Sequence, residues 1–200
     1  MSWEKSEFQK PKYPLASLWY NNDMTKLAII ILLFSFFIGF QKSFAQSTPS
    51  AQIINVQYDL PYTGILPDNP LYFLKALRDN IYGMLITDPI KKSDYDLLMA
   101  DKRLGGAQAL FNKGEYDLAI TTLSKSGNYF YQAIQYAAGA KKQGENINDV
   151  ISRLTSASLK HQQIILQMIK QASKNNKGIL GVSLNRVEGF QVSVQAIKPN

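Results

Sequence analysis

NDVISRLTSASLKHQQIILQMIKQASK (Asn148–Lys174) decides the fold. Val150, Leu154, Ala157, His161, Ile165, Met168 and Ala172 recur at spacings of three and four. That period places them on one face of an α-helix, whereas a strand would alternate every second residue. A helix with one apolar face must bury it against other elements. The rest of the chain must therefore supply partners for this one.

Upstream, the same period returns three times. A helix from Glu115 to Gly144 carries Tyr116, Ala119, Leu123, Phe130, Ile134 and Ala137. Asp88-Pro89 is a cap followed by a first-turn proline, and it opens a helix with Leu97, Leu104, Ala107 and Phe111 that stops near Gly114. Asn69 or Asp68 with Pro70 repeats the signal, for a helix with Leu74, Leu77, Ile81 and Leu85 that ends near Thr87. Downstream, Asn175–Gly178 reads as a break before a weaker helix from Leu180 to Ile197, with Leu184, Val187 and Val194 on one face. Connections are short, which favours antiparallel neighbours. The expected fold is all-α, an antiparallel bundle of four to five helices, preceded by a proline-rich extended segment. Three prolines and a glycine forbid a helix over Tyr58–Pro70, and its apolar residues place it along the outside of the bundle. The helical domain spans 58–174, followed by a linker and weak C-terminal helix over 175–200.

Leu27–Phe40 is an unbroken apolar run of 14 residues. About 20 are needed to span a bilayer, so the run reads as the core of an export signal. Lys26 precedes it, and Ser43-Phe44-Ala45 sets cleavage between Ala45 and Gln46. A flexible mature terminus over 46–57 follows. Met24 gives a signal of normal proportions, which makes residues 1–23 a gene-model extension. The alternative is a cytoplasmic tail and an uncleaved single-pass anchor over residues 27–40. The expected location is extracytoplasmic, secreted or in the cell envelope.

The formal charge is +7, from 22 basic and 15 acidic residues. The basic residues are scattered, with pairs only at Lys91-Lys92, Lys102-Arg103 and Lys141-Lys142. A nucleic-acid binder would cluster them into a stripe, so nucleic acid is not an expected partner. Weak attraction to an anionic membrane surface fits the charge. The chain has no cysteine. That excludes disulfides, thiolate metal sites, cysteine nucleophiles and a cysteine-borne lipid anchor.

YDLPYTGILPDNPLYFLK (58–75) resembles an LPxxxLPDSPLYxLK element found in a family of exported helical bacterial proteins of unknown function, frequent in candidate-phyla genomes. ADKRL (100–104), KGEYDLA (113–119) and LKHQ (159–162) also look like that family, and the resemblance covers roughly residues 56–172. Asn69 stands where a serine is usual, which keeps the cap chemistry. The resemblance implies export and helices, and it implies no activity. Separately, NKGEYDLA (112–119) resembles the turn of a tetratricopeptide hairpin, but it occurs once, and an array needs several copies.

Few residues offer chemistry. His161 is the only histidine and sits on an apolar stripe, where it reads as a buried side chain bonded to a neighbouring helix rather than a general base. Asp94, Asp96 and Asp101 read as a solvated face, with Lys92→Asp96 as an i,i+4 pair. Gly105-Gly106 inside a helix permits close packing. No catalytic set, cofactor site or metal site is expected. Tyr129, Tyr131 and Tyr136 cannot all share the core stripe of their helix, so they are candidates for an interaction surface. The expected role is a non-catalytic binding or scaffold module whose partner is an envelope protein or polymer. The alternative is an envelope enzyme using Asp and His residues. A cavity lined by His161 and two carboxylates from different helices would favour the enzyme. A solid core with an exposed aromatic groove would favour the module.

Overall fold

The structure is a computed structural model that describes residues 56–198. The export signal, the Ala45–Gln46 cleavage site and residues 1–23 lie outside the described residues. Among the described residues, no helix is long and apolar enough to cross a membrane.

Five helices follow an irregular segment: α1 (Tyr72–Leu85), α2 (Pro89–Asn112), α3 (Tyr116–Lys142), α4 (Asn148–Gln171) and α5 (Lys174–Ile197). The described residues form an all-α bundle, as the sequence predicts. Asp88 caps α2 by accepting from the Lys91 N–H at 2.8 Å, with Pro89 opening the first turn. Gly114 and Gly144 take φ of +86° and +83°. There the Glu115 and Glu145 N–H groups reach back to Leu110 and Ala140 at 3.0 and 3.1 Å, closing α2 and α3. α1 begins two residues after the expected proline, because Pro70 stays in a turn in which Asn69 Oδ1 accepts from the Leu71 N–H at 2.9 Å.

α2 and α3 form one antiparallel hairpin, and α4 and α5 form another. Two buried serines pin the first: Ser93 donates to the Ala133 carbonyl and Ser126 to that of Ala100, each at 2.8 Å. The hairpins then stack in parallel. Asp94 and Asp101 of α2 meet Arg153 and His161 of α4, and Asn128 of α3 meets Arg186 of α5. α3 and α4 are joined by five residues and barely touch. Hairpins stacked this way are the packing used by helical repeats.

The predicted stripes of α2, α3 and α4 are the core. Leu104, Ala107, Phe130, Ala137, Leu154 and Ala157 are all wholly buried. Tyr116 alone among them is exposed. α5 is stronger than expected. The Asn175–Gly178 stretch is helical, the break falls at Ala172-Ser173, and Leu180, Val187, Phe190 and Val194 are buried. The proline-rich segment crosses Gly105-Gly106, with Thr63 and Leu66 against the two glycines. A Cβ on Gly105 would sit 2.7 Å from the Thr63 methyl, whereas one on Gly106 would make ordinary contact with Leu66 at 3.6 Å.

α1 is the correction. Leu74, Leu77, Ile81 and Leu85 were expected to be its buried stripe, and they are 53%, 54%, 51% and 74% exposed. Its buried side carries Tyr72, Lys75, Ala76, Asp79 and Gly83 instead. Ion pairing and close approach fix this orientation. Asp79 lies among Lys75, Arg78 and Arg103, the Tyr95 hydroxyl donates to the Asp79 carbonyl, and a Cβ on Gly83 would sit 2.8 Å from the Tyr95 ring. Leu77→Gln and Ile81→Gln are therefore each expected to cost less than about 0.5 kcal/mol in urea unfolding, against about 2–5 for a truncated core leucine. A core-sized loss at either position would contradict this orientation.

Candidate ligand-binding cleft

The polar side of α1 does not close onto α2 and α3. It leaves a cleft of about 610 Å³ between the three helices. Each helix contributes a row at helical spacing: Tyr72, Ala76, Asp79 and Gly83 from α1; Lys92, Tyr95 and Arg103 from α2; Lys125, Tyr129, Gln132 and Tyr136 from α3.

Two cations on α2 are framed by tyrosines. The Arg103 guanidinium lies 5.2 Å from the Tyr72 ring centre and 6.0 Å from that of Tyr129. Lys92 Nζ lies 5.2 Å from the Tyr95 ring and 5.6 Å from that of Tyr136. Both arrangements fit cation–π attraction. Lys92 also bonds Asp96 Oδ1 at 3.2 Å. Arg103 is only 5% exposed, yet its nearest carboxylate oxygen, Asp79 Oδ2, is 3.8 Å away. Arg103 Nε and Asp79 Oδ2 have no hydrogen-bond partner among the described residues. Both atoms are shielded from solvent, a state shared by Asp96 Oδ2 and Gln163 Oε1 outside the cleft lining.

Burial sets the local acid–base behaviour. It pushes the Tyr95 hydroxyl up to about 12, helped by the nearby Asp79 charge. It lowers Lys75, and the neighbouring Arg103 cation lowers it further. Burial also raises Asp96, against the pull of the Lys92 hydrogen bond. A carboxyl whose folded value is raised stabilises the fold less once it ionises. Asp96→Asn is thus expected to gain stability relative to the parent as pH rises from about 3 to 7. Thermal unfolding of both proteins across that range checks the sign, and a variant that loses ground with rising pH would contradict it.

The three tyrosines singled out from sequence divide. Tyr129 and Tyr136 line the cleft, while Tyr131 is 52% exposed on another side of α3. The three aspartates also divide, and the solvated-face expectation is corrected for two of them. Asp94 is half-buried and bonds Arg153 at 2.6 Å, but Asp96 and Asp101 are buried. Asp94 and Asp101, seven residues apart, share the face that meets α4, whereas Asp96 lies on a different face and bonds Lys92. Asp101 accepts from the Tyr58 hydroxyl at 2.5 Å and lies 2.8 Å from His161 Nε2. His161 is thus a buried side chain bonded to another helix. A small pocket of about 90 Å³ beside it, between α3, α4 and α5, has no carboxylate in its lining. No metal-holding cluster of His, Asp and Glu occurs among the described residues.

Sequence reasoning missed Tyr72, Asp79, Tyr95 and Arg103. The available signal was the row Tyr72, Ala76, Asp79, Gly83, whose small residues flank a carboxylate on one helix face.

The class defined by this fold and site is a small all-α domain of stacked hairpins with a cationic, tyrosine-walled cleft. The chain belongs to the family described as Domain of unknown function (DUF5667), whose model matches residues 64–188. The match includes every element of the cleft and runs into α5. No curated protein and no solved structure matches the chain.

Proposed function

We propose that the domain is a non-catalytic binding module of the cell envelope, and that the cleft between α1, α2 and α3 is its ligand site. The observation that carries this is the cleft itself, open between three helices and lined by Lys92, Arg103 and Lys125, with tyrosine rings beside both α2 cations. Preformed concave sites with a few convergent polar groups are the usual form of ligand sites. Against an enzyme, His161 meets one carboxylate only and lies in the core, away from the cleft. The envelope location rests on the apolar run at Leu27–Phe40 and its cleavage site.

Tyr131 supplies an internal control. Tyr129→Ala and Tyr136→Ala are each expected to weaken binding to solubilised envelope polymer by about tenfold or more, as truncated aromatic anchors do. Tyr131→Ala should leave binding unchanged. Equal losses for all three, or turnover of the polymer by the purified chain, would overturn the reading.

A second reading rests on α1 alone. Phe73, Leu77, Ile81 and Met84 are exposed, as is Arg78 next to Leu77, a pattern that suits a helix lying on an anionic bilayer. Sedimentation with anionic vesicles tests it. Loss of binding in Leu77→Gln/Ile81→Gln supports it, and unchanged binding refutes it.

A further inference from the structure

We infer that the cleft takes an anionic saccharide, one whose sugar units carry carboxylate or phosphodiester groups. The inference rests on the cleft being the ligand site. Its charge is unbalanced: Lys92, Arg103 and Lys125 line it, against the carboxylate of Asp79 in its wall and that of Asp96 bonded to Lys92. The Asp79 carboxylate is already shared among Lys75, Arg78 and Arg103, at 3.6, 2.7 and 3.8 Å. An arriving anion would therefore meet surplus positive charge, with the exposed Lys125 ammonium free to bond it.

The rest of the wall selects the carrier of that anion. Its aromatic surface is tyrosine, whose rings suit the C–H faces of sugars and whose hydroxyls stay polar. Asn80, Asn128 and Gln132 add side-chain amides, which can donate to and accept from sugar hydroxyls. Lining aliphatic side chains are few, which disfavours a lipid chain or an apolar peptide. The site is also long. Lys92 and Arg103 are about 16 Å apart along α2, by 1.5 Å per residue. Each sits with its own pair of tyrosines, giving two similar stations for an extended ligand with a repeating unit.

The test is calorimetric titration of the full chain with four probes: trigalacturonate, a phosphodiester-linked hexose trisaccharide, neutral triacetylchitotriose and a short oligothymidylate. The expected result is that at least one anionic probe of the first two binds about tenfold or more tighter than the neutral sugar, and weakens with added salt. The better of the two identifies carboxylate or phosphodiester as the source. Arg103→Gln should lose that preference. Lys125→Gln, at an exposed cleft position, should reduce it by a few-fold without affecting folding. Equal binding of the neutral sugar, with cleft variants weakened, would overturn the anionic assignment and leave the binding module standing. Preference for the oligothymidylate would overturn the saccharide. If no probe binds while envelope polymer still depends on Tyr129 and Tyr136, the saccharide assignment is wrong. If neither probe nor polymer binds, the module itself fails.

Discussion

Asp101→Ala is expected to destabilise the domain by about 3–5 kcal/mol, from leaving two hydrogen-bonding partners unsatisfied at about 1–3 kcal/mol each. Asp101 is 3% exposed, and its two oxygens face different elements. One accepts from Tyr58 of the proline-rich segment and the other meets His161 of α4. Truncation leaves His161 buried and Tyr58 half-buried without this bond, and it releases the segment from α2 at the same time. Asp101→Asn keeps an oxygen and a nearly identical shape, so it should cost less. Small domains are stable by about 5–15 kcal/mol, so the alanine variant approaches the edge of folding. Denaturant unfolding followed by circular dichroism measures the loss. A cost below about 1 kcal/mol would show that the segment and α4 are not joined through this carboxylate.

Phe130→Ala is expected to cost a similar amount, about 3–5 kcal/mol, for a different reason. Phe130 is wholly buried at the centre of the stacked hairpins. Its ring lies edge-on to His161 at 4.9 Å and parallel to Phe190 at 5.0 Å. It therefore ties α3 to both helices of the second hairpin. Removing it opens a cavity and separates α5 from its aromatic contact. Phe130→Leu should recover part of the stability by refilling the space. A leucine variant no better than alanine would mean that the aromatic contacts, rather than the volume, hold the hairpins together.

The bundle was legible in the sequence where one period governed the whole helix. Val150 to Ala172 on α4 and Ala119 to Ala137 on α3 are core positions, as their spacing predicts. Asp88-Pro89 and Gly114 also announced real ends, because caps and left-handed glycines act locally. α1 was misread because its longest apolar face is not its docking face. Its orientation follows from Arg103 and Tyr95, which lie more than ten residues away on another helix, and no local period reports that. The cleft was half legible for the same reason. Tyr129 and Tyr136 stood out as aromatics off the core stripe. Arg103 looked like one half of a scattered basic pair, and its burial depends on Tyr72 and Asp79 closing over it. α5 was underestimated because Asn175–Gly178 has weak helix formers, and packing of Leu180, Phe190 and Val194 overrides that propensity.

The claim that the cleft is the binding site is tested most directly by amide chemical-shift mapping of the isotope-labelled chain during titration with solubilised envelope polymer. The account expects shift changes concentrated at Tyr72, Asp79, Arg103, Tyr129 and Tyr136, with Tyr131 and the outer faces of α4 and α5 unmoved. Changes confined to α4 and α5, with the cleft residues unperturbed at saturation, would contradict it.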